Sequence, residues 1–263
     1  SIYLTGTTGG NLDDQINNGS GDAFITKFDS DGNRKWTRLV GTPNSRLDSE
    51  GARDIAIDNA GYIYITGNSW GDFDNQTNKG KTDPFITKFD SLGNKLWSNL
   101  FGSWDSESRE NSYGISSSND GYLYVAGDTE GPHLTQYLGW FNDDTGWTAG
   151  IYNSGRKDAC VSKFDSNGNR IWTRLIGSTG DDRAYDICTD NKGNLYIIGY
   201  ITGDIFDQRG SGQNAFISKL DSNGNKKWLR FIGNASAENI SMGSDGFIYV
   251  TGQTSGNLDD QIN

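Results

Sequence analysis

The chain has few side chains able to do covalent chemistry. His133 is the sole histidine, which weighs heavily against a histidine-based triad or a multi-histidine metal site, and one loop histidine reads as structural. Cys160 and Cys188 are the two thiols. The glutamates are Glu50, Glu107, Glu110, Glu130 and Glu238. Glycoside hydrolysis takes two carboxylates converging on one bond, and Glu238 and Glu107 are the candidates for it.

Oxygen ligands are more plentiful. One stretch carries Asp13, Asp14, Gln15, Asn17 and Asp22, and a second carries Asp74, Asn75, Gln76, Asn78 and Asp83. A third copy begins at Asp259, Asp260, Gln261 and Asn263. Hard oxygens at such spacing suit Ca²⁺, with Asp13, Asp14, Asn17, Asp22, Asp74, Asn78 and Asp83 as the ligands. The alternative is that Asp and Asn close an ordered loop on its own backbone. FDSDGN lacks the Gly at position 6 and the Glu at position 12 of a helix–loop–helix calcium site. A separate acidic column, Glu50, Glu110 and Asp182, could gather a cation or a sugar, or bond backbone amides of a neighbouring element.

These residues stand on a repeat. DAFITKFDSDGNRKWTRLVG from Asp22 returns from Asp83, Asp158 and Asn214, with Trp36, Trp97, Trp172 and Trp228 in one column. IYLTG from Ile2 returns in YIYITG, YLYVAG, NLYIIG and FIYVTG. Runs such as ARDIAIDNAG from Ala52 and RAYDICTDNKG from Arg183 precede four of those copies. Short β-branched and aromatic runs ending at turn residues are strands. FDSxGN joins two of them through a tight loop with Gly at positive φ. One unit is therefore four strands, and units of this length predict an all-β β-propeller of four-stranded antiparallel blades. Cys188 falls in a column with Ala56, Ser116 and Ser241, and Cys160 in one with Phe24, Phe85 and Phe216; both are expected to pack as small hydrophobes.

The units run over 1–41, 51–102, 111–177, 184–233 and, in part, 237–263. Together they form one propeller domain with five sheets represented, either a closed five-bladed ring or part of a larger propeller. Residues 5–17 and 251–263 match at 11 of 13 positions, so the two ends compete for one place in a ring. The third unit alone carries an insertion, within 128–157, holding Tyr137, Trp140, Phe141, Trp147 and Tyr152. An aromatic loop with polar edges on a rigid scaffold suits ligand contact, or packs on itself as a cap.

Only 33% of the 263 residues are hydrophobic and Gly reaches 36, as thin sheets and many turns require. The net charge of −11 repels phosphate backbones and anionic lipid, so nucleic acid is not expected as a partner, and no apolar run approaches the roughly 18 residues of a membrane helix, so membrane insertion is not expected either. The chain opens Ser-Ile-Tyr, as a processed protein or a piece of a longer one.

The pattern TG-x-T-x-GNLDDQIN-(x)4-DAFITKFD-x-x-GN-x-x-W, with DIAIDNAGYIYITG, resembles the bacterial SBBP β-propeller repeat. The resemblance spans essentially the whole chain. It implies a propeller at the cell surface or secreted, and no catalytic residues. The functional expectation is a non-catalytic extracellular binding or scaffold module with a protein or glycan partner. Alternatives are a carbohydrate-binding propeller, with the five aromatics and Glu50, Glu110 and Asp182 as contacts, and a five-bladed glycoside-active enzyme. No cofactor is required, and Ca²⁺ is the candidate.

Overall fold

The computed structural model describes residues 1–42, 45–102, 107–130, 157–178, 180–203 and 213–254, with the backbone only at 45–49. The described residues form seventeen strands and no helix.

The first compact unit spans Ser1–Tyr113. Its first blade is β1 (Ile2–Thr8), β2 (Gly19–Phe28) and β3 (Arg34–Val40), and its second is β4 (Ser45–Ile57), β5 (Ile63–Ser69), β6 (Asp83–Phe89) and β7 (Lys95–Leu100). All pairings within a blade are antiparallel. A short parallel contact of Gly19 with Ser45 and Gly21 with Ser49 joins β2 to β4.

The second unit spans Gly114–Asn263. It takes the end of β8 (Glu110–Ser117), then β9 (Leu123–Thr129), β10 (Asp158–Phe164) and β11 (Arg170–Ile176) as one four-stranded sheet. A second sheet runs β12 (Arg183–Thr189), β13 (Leu195–Ile201), β14 (Asn214–Leu220) and β15 (Lys226–Gly233). The hairpin of β16 (Ala235–Met242) and β17 (Ile248–Thr254) follows. A four-stranded antiparallel sheet repeated in this way is the blade of a β-propeller, as the repeat requires.

The period of two along a strand explains how so few apolar residues suffice. On β13, Leu195 and Ile197 join a core with Tyr124, Val161 and Trp172. The alternate residues Tyr196 and Ile198 face Ala237 and Ile240 of β16. One strand thus serves two cores, and each fully buried Ile contributes about 2–3 kcal/mol. In the first unit Ile25, Ile63, Ile65, Phe85 and Phe89 form the corresponding core.

FDSxGN closes on itself. The Asp29 carboxylate accepts from the Asp31 and Asn33 amides at 3.0 and 2.8 Å, and Gly32 takes φ +81°, a region that glycine enters freely. The same cage recurs on Asp90, Asp165 and Asp221. Burial pushes Asp165 and Asp221 upward, but the hydrogen bonds to the charged form together outweigh it, and they do so in Asp90 as well, so all three carboxyls lie below the usual range.

Candidate functional site

Seven carboxylates are buried among the described residues; Asp128 meets Arg183 at 3.1 Å, and the backbone brings the other six together in pairs. Asp22, Asp83 and Asp158 stand at the start of the third strand of three blades, and Glu50, Glu110 and Asp182 lie at the entry to the first strand of the next. Gly21 bridges to Ser49, which places Asp22 beside Glu50. The Glu110 amide donates to the Thr82 carbonyl at 2.9 Å, which places Glu110 beside Asp83. The Asp182 amide donates to the Lys157 carbonyl at 2.9 Å, which places Asp182 beside Asp158. All six are at most 4% exposed.

A glycine makes room for each strand-three acid. A Cβ on Gly41 or Gly102 would lie 2.1 Å from Oδ1 of Asp22 or Asp83, and one on Gly177 would lie 2.6 Å from that of Asp158. Each of these three glycines closes the W-x-x-x-x-G segment of its own blade. Burial disfavours the charged form. It raises Asp158 to about 7, with the Asp182 charge adding to the effect. Asp182 is raised to about 6 by burial, against hydrogen bonds from the Ser178 hydroxyl (2.8 Å), the Ser178 amide and the Thr202 amide (3.1 Å). Asp22 and Asp83 are raised by burial too, although the Asn18 and Lys79 amides donate to them at 3.0 and 2.8 Å. Asp158 was missed from sequence because the long insertion separates it from its own second strand; the signal was its place at the head of the repeated strand-three segment.

The amide-rich loops have a backbone role. Asp13 and Asp14 have φ of 51° and 62°, and Asp74 and Asn75 of 50° and 63°. Leu12 and Gln15 exchange backbone bonds across the first pair at 2.9–3.1 Å, as Phe73 and Gln76 do across the second at 2.9 Å. Two successive left-handed residues make a type I′ turn, which favours Asp, Asn and Gly. Asp13 bonds Arg34 and Thr37, Asp74 meets Lys95 at 2.5 Å, and Asp14 is exposed. Asn17 and Asn78 donate to the Thr8 and Ser69 carbonyls at 2.8 and 3.1 Å and accept from the Gly19 and Gly80 amides. Asp22 and Asp83 lie with the glutamates described above, so each set of proposed calcium ligands is divided between loop and interior. Among the described residues no three His, Cys, Asp or Glu side chains converge as a metal site would need.

Neither Cys160 nor Cys188 is joined in a disulfide. Cys188 packs against the core that holds Tyr196 and Ile240, and burial raises its thiol to about 12, far from a reactive thiolate. Tyr137, Trp140, Phe141, Trp147 and Tyr152 lie outside the described residues, as does His133.

The regulatory protein FlaEY of Caulobacter vibrioides is 27% identical over 178 residues, which are 65% of this chain and 18% of the relative, so the match spans less than a fifth of the relative's length. Among solved structures, a protein of unknown function from Bacteroides caccae matches with a TM-score of 0.50 at 10% identity, over 98% of this chain and 70% of that one. A gluconolactonase from Xanthomonas campestris matches with a TM-score of 0.47 at 16% identity, over 88% of this chain and 65% of that one. The SBBP family model, a beta-propeller repeat, matches two segments of this chain, residues 35–74 and 171–207.

Proposed function

We propose that the chain is a non-catalytic binding or scaffold module, acting outside the cell or at its surface on a protein or glycan. One observation carries this reading: the buried carboxylates recur at equivalent places in three blades, each pair beside the same backbone contact. Catalysis uses a unique constellation, whereas a recurring pair belongs to the architecture. The charged turn residues are engaged in the same repeating fashion. The insertion with Tyr137, Trp140, Phe141, Trp147 and Tyr152 is the departure from the repeat suited to partner contact, since aromatic faces stack on sugars and anchor protein interfaces.

The test is a panel of polysaccharides, lactones and glycans with the full chain. Retention of one glycan or protein, lost on Trp140→Ala or Trp147→Ala and with no turnover, is expected. Turnover that disappears with Glu238→Gln or Glu107→Gln would show an enzyme instead.

A further inference from the structure

We infer that Arg183, Tyr185, Tyr200 and Asp128 form a binding site for a neutral sugar ring, where β12 begins and β13 ends. The inference rests on the glycan arm of the function proposed above and names residues outside the insertion. The columns of the repeat single these residues out. Arg183 pairs with Tyr200 across β12 and β13, where the second blade pairs Gly51 with Asn68. Asp128 on β9 pairs with Ala159 as Asn68 pairs with Pro84, so it too stands in the Asn68 column. Asn68 serves the architecture, since its side chain accepts from the Ser112 amide of the following strand at 2.8 Å. Three departures from the second blade therefore fall at one end of neighbouring strands.

A β-bulge aims the fourth. The β12–β13 register slips between Ala184 and Asp186, so Tyr185 is the extra residue of the bulge. The second blade has the same bulge at Arg53, between Ala52 and Asp54. The two are closed alike, with the Asp186 and Asp54 carboxylates each accepting from the next amide at 2.7 Å. The bulge itself is thus architecture, and the residue it carries is the variable part. A bulge re-aims that side chain, and here it delivers a tyrosine in place of an arginine.

The four side chains lie together. The Tyr185 and Tyr200 rings are 5.7 Å apart and tilted by 51°. Arg183 Cζ lies 5.8 Å from the centre of the Tyr200 ring, and Arg183 Nε lies 3.1 Å from Oδ2 of Asp128. The Arg183 side chain keeps 31% exposure and both tyrosines are half-buried, whereas Asp128 is fully buried. Solvent therefore reaches the cation and the rings but not the acid that holds the cation. The backbone beneath is braced, since the Thr202 hydroxyl donates to Asp181 O at 2.7 Å and its amide to the Asp182 carboxylate at 3.1 Å. Burial raises the Tyr200 phenol against the pull of Arg183, so its hydroxyl stays a donor. Aromatic faces take the C–H face of a sugar ring, and guanidinium and phenol hydrogen-bond its hydroxyls. Charge selects a neutral sugar: Asp128 offsets Arg183, Asp181 adds a negative charge at the entry to β12, and the chain carries −11, so an anionic sugar is repelled.

The full chain is titrated calorimetrically with cellohexaose, maltohexaose and mannohexaose, and with hexagalacturonate as the anionic comparison. Binding of at least one neutral hexaose is expected, weakened about tenfold by Tyr185→Ala and unchanged by Arg53→Ala, which alters the same bulge in the second blade. Removing Arg183 alone would strand a buried carboxylate, so Arg183→Gln is paired with Asp128→Asn, and a similar loss is expected. Neutral binding that disappears with Trp140→Ala yet is indifferent to Tyr185→Ala and to the paired variant would overturn this site while leaving the glycan reading intact. Binding of hexagalacturonate alone, an equal loss with Arg53→Ala, or no heat with any neutral hexaose would overturn it as well.

Discussion

Asp182 donates its amide to the carbonyl of Lys157 at 2.9 Å, and that bond sets its carboxylate beside the one that follows, Asp158. Two acids 24 positions apart in sequence thus share an interior where neither is more than 3% exposed. The Asp182 charge is one of the two causes that hold Asp158 in its protonated form.

This pair makes stability depend on pH in an unusual direction. Folded values of about 7 and about 6 lie above the ordinary carboxylate value of 3.8, so the folded chain binds more protons than the unfolded chain between roughly pH 4 and 7. The contribution is fully present below pH 4 and is lost as pH rises through 6 and 7. Thermal midpoints measured from pH 4.5 to 8 should fall on the alkaline side, and Asp158→Asn should flatten the slope. A midpoint that rises over that window in the parent chain would refute the assignment.

Gly102→Ala drives a methyl to 2.1 Å from Oδ1 of Asp83, which is fully buried and has little room to shift. We expect a loss of about 2–3 kcal/mol in urea unfolding. Asp83→Ala in the same chain should recover part of that loss, giving a clear coupling in a double-mutant cycle. Additive losses would mean that the glycine serves another purpose.

The left-handed pair Asp74–Asn75 favours residues that tolerate positive φ. Asn75→Gly should be neutral or stabilising, whereas Asn75→Val should cost about 1–2 kcal/mol. Equal effects of the two substitutions on the unfolding midpoint would argue against a type I′ turn there.

Calcium offers a separate check on the loops. Asp13 and Asp74 are already engaged with Arg34 and Lys95, and the two asparagines hold the backbone. Millimolar Ca²⁺ is therefore expected to leave the thermal midpoint unchanged. A rise of several degrees, removed by Asp13→Asn or Asp74→Asn, would restore those loops as metal sites.

What the sequence determined was everything written in local order. Alternation of apolar and polar residues defines strands, Gly and Asn at fixed offsets define the FDSxGN turns, and the recurrence of both defines blades, because each depends on neighbours a few positions apart. It also brought Asp22, Asp83, Glu50, Glu110 and Asp182 to notice, but as separate columns, one in a loop and one ahead of a strand. Only the tertiary structure decided that these columns meet. Their contact follows from a backbone bond between successive blades, which no local pattern encodes. Packing likewise decided that Gly41, Gly102 and Gly177 cradle the buried acids, and that Tyr249 is exposed where Tyr3 is half-buried and Tyr64, Tyr124 and Tyr196 are buried. A side chain's burial depends on which strands lie beside it, and β17 reads in sequence just as they do.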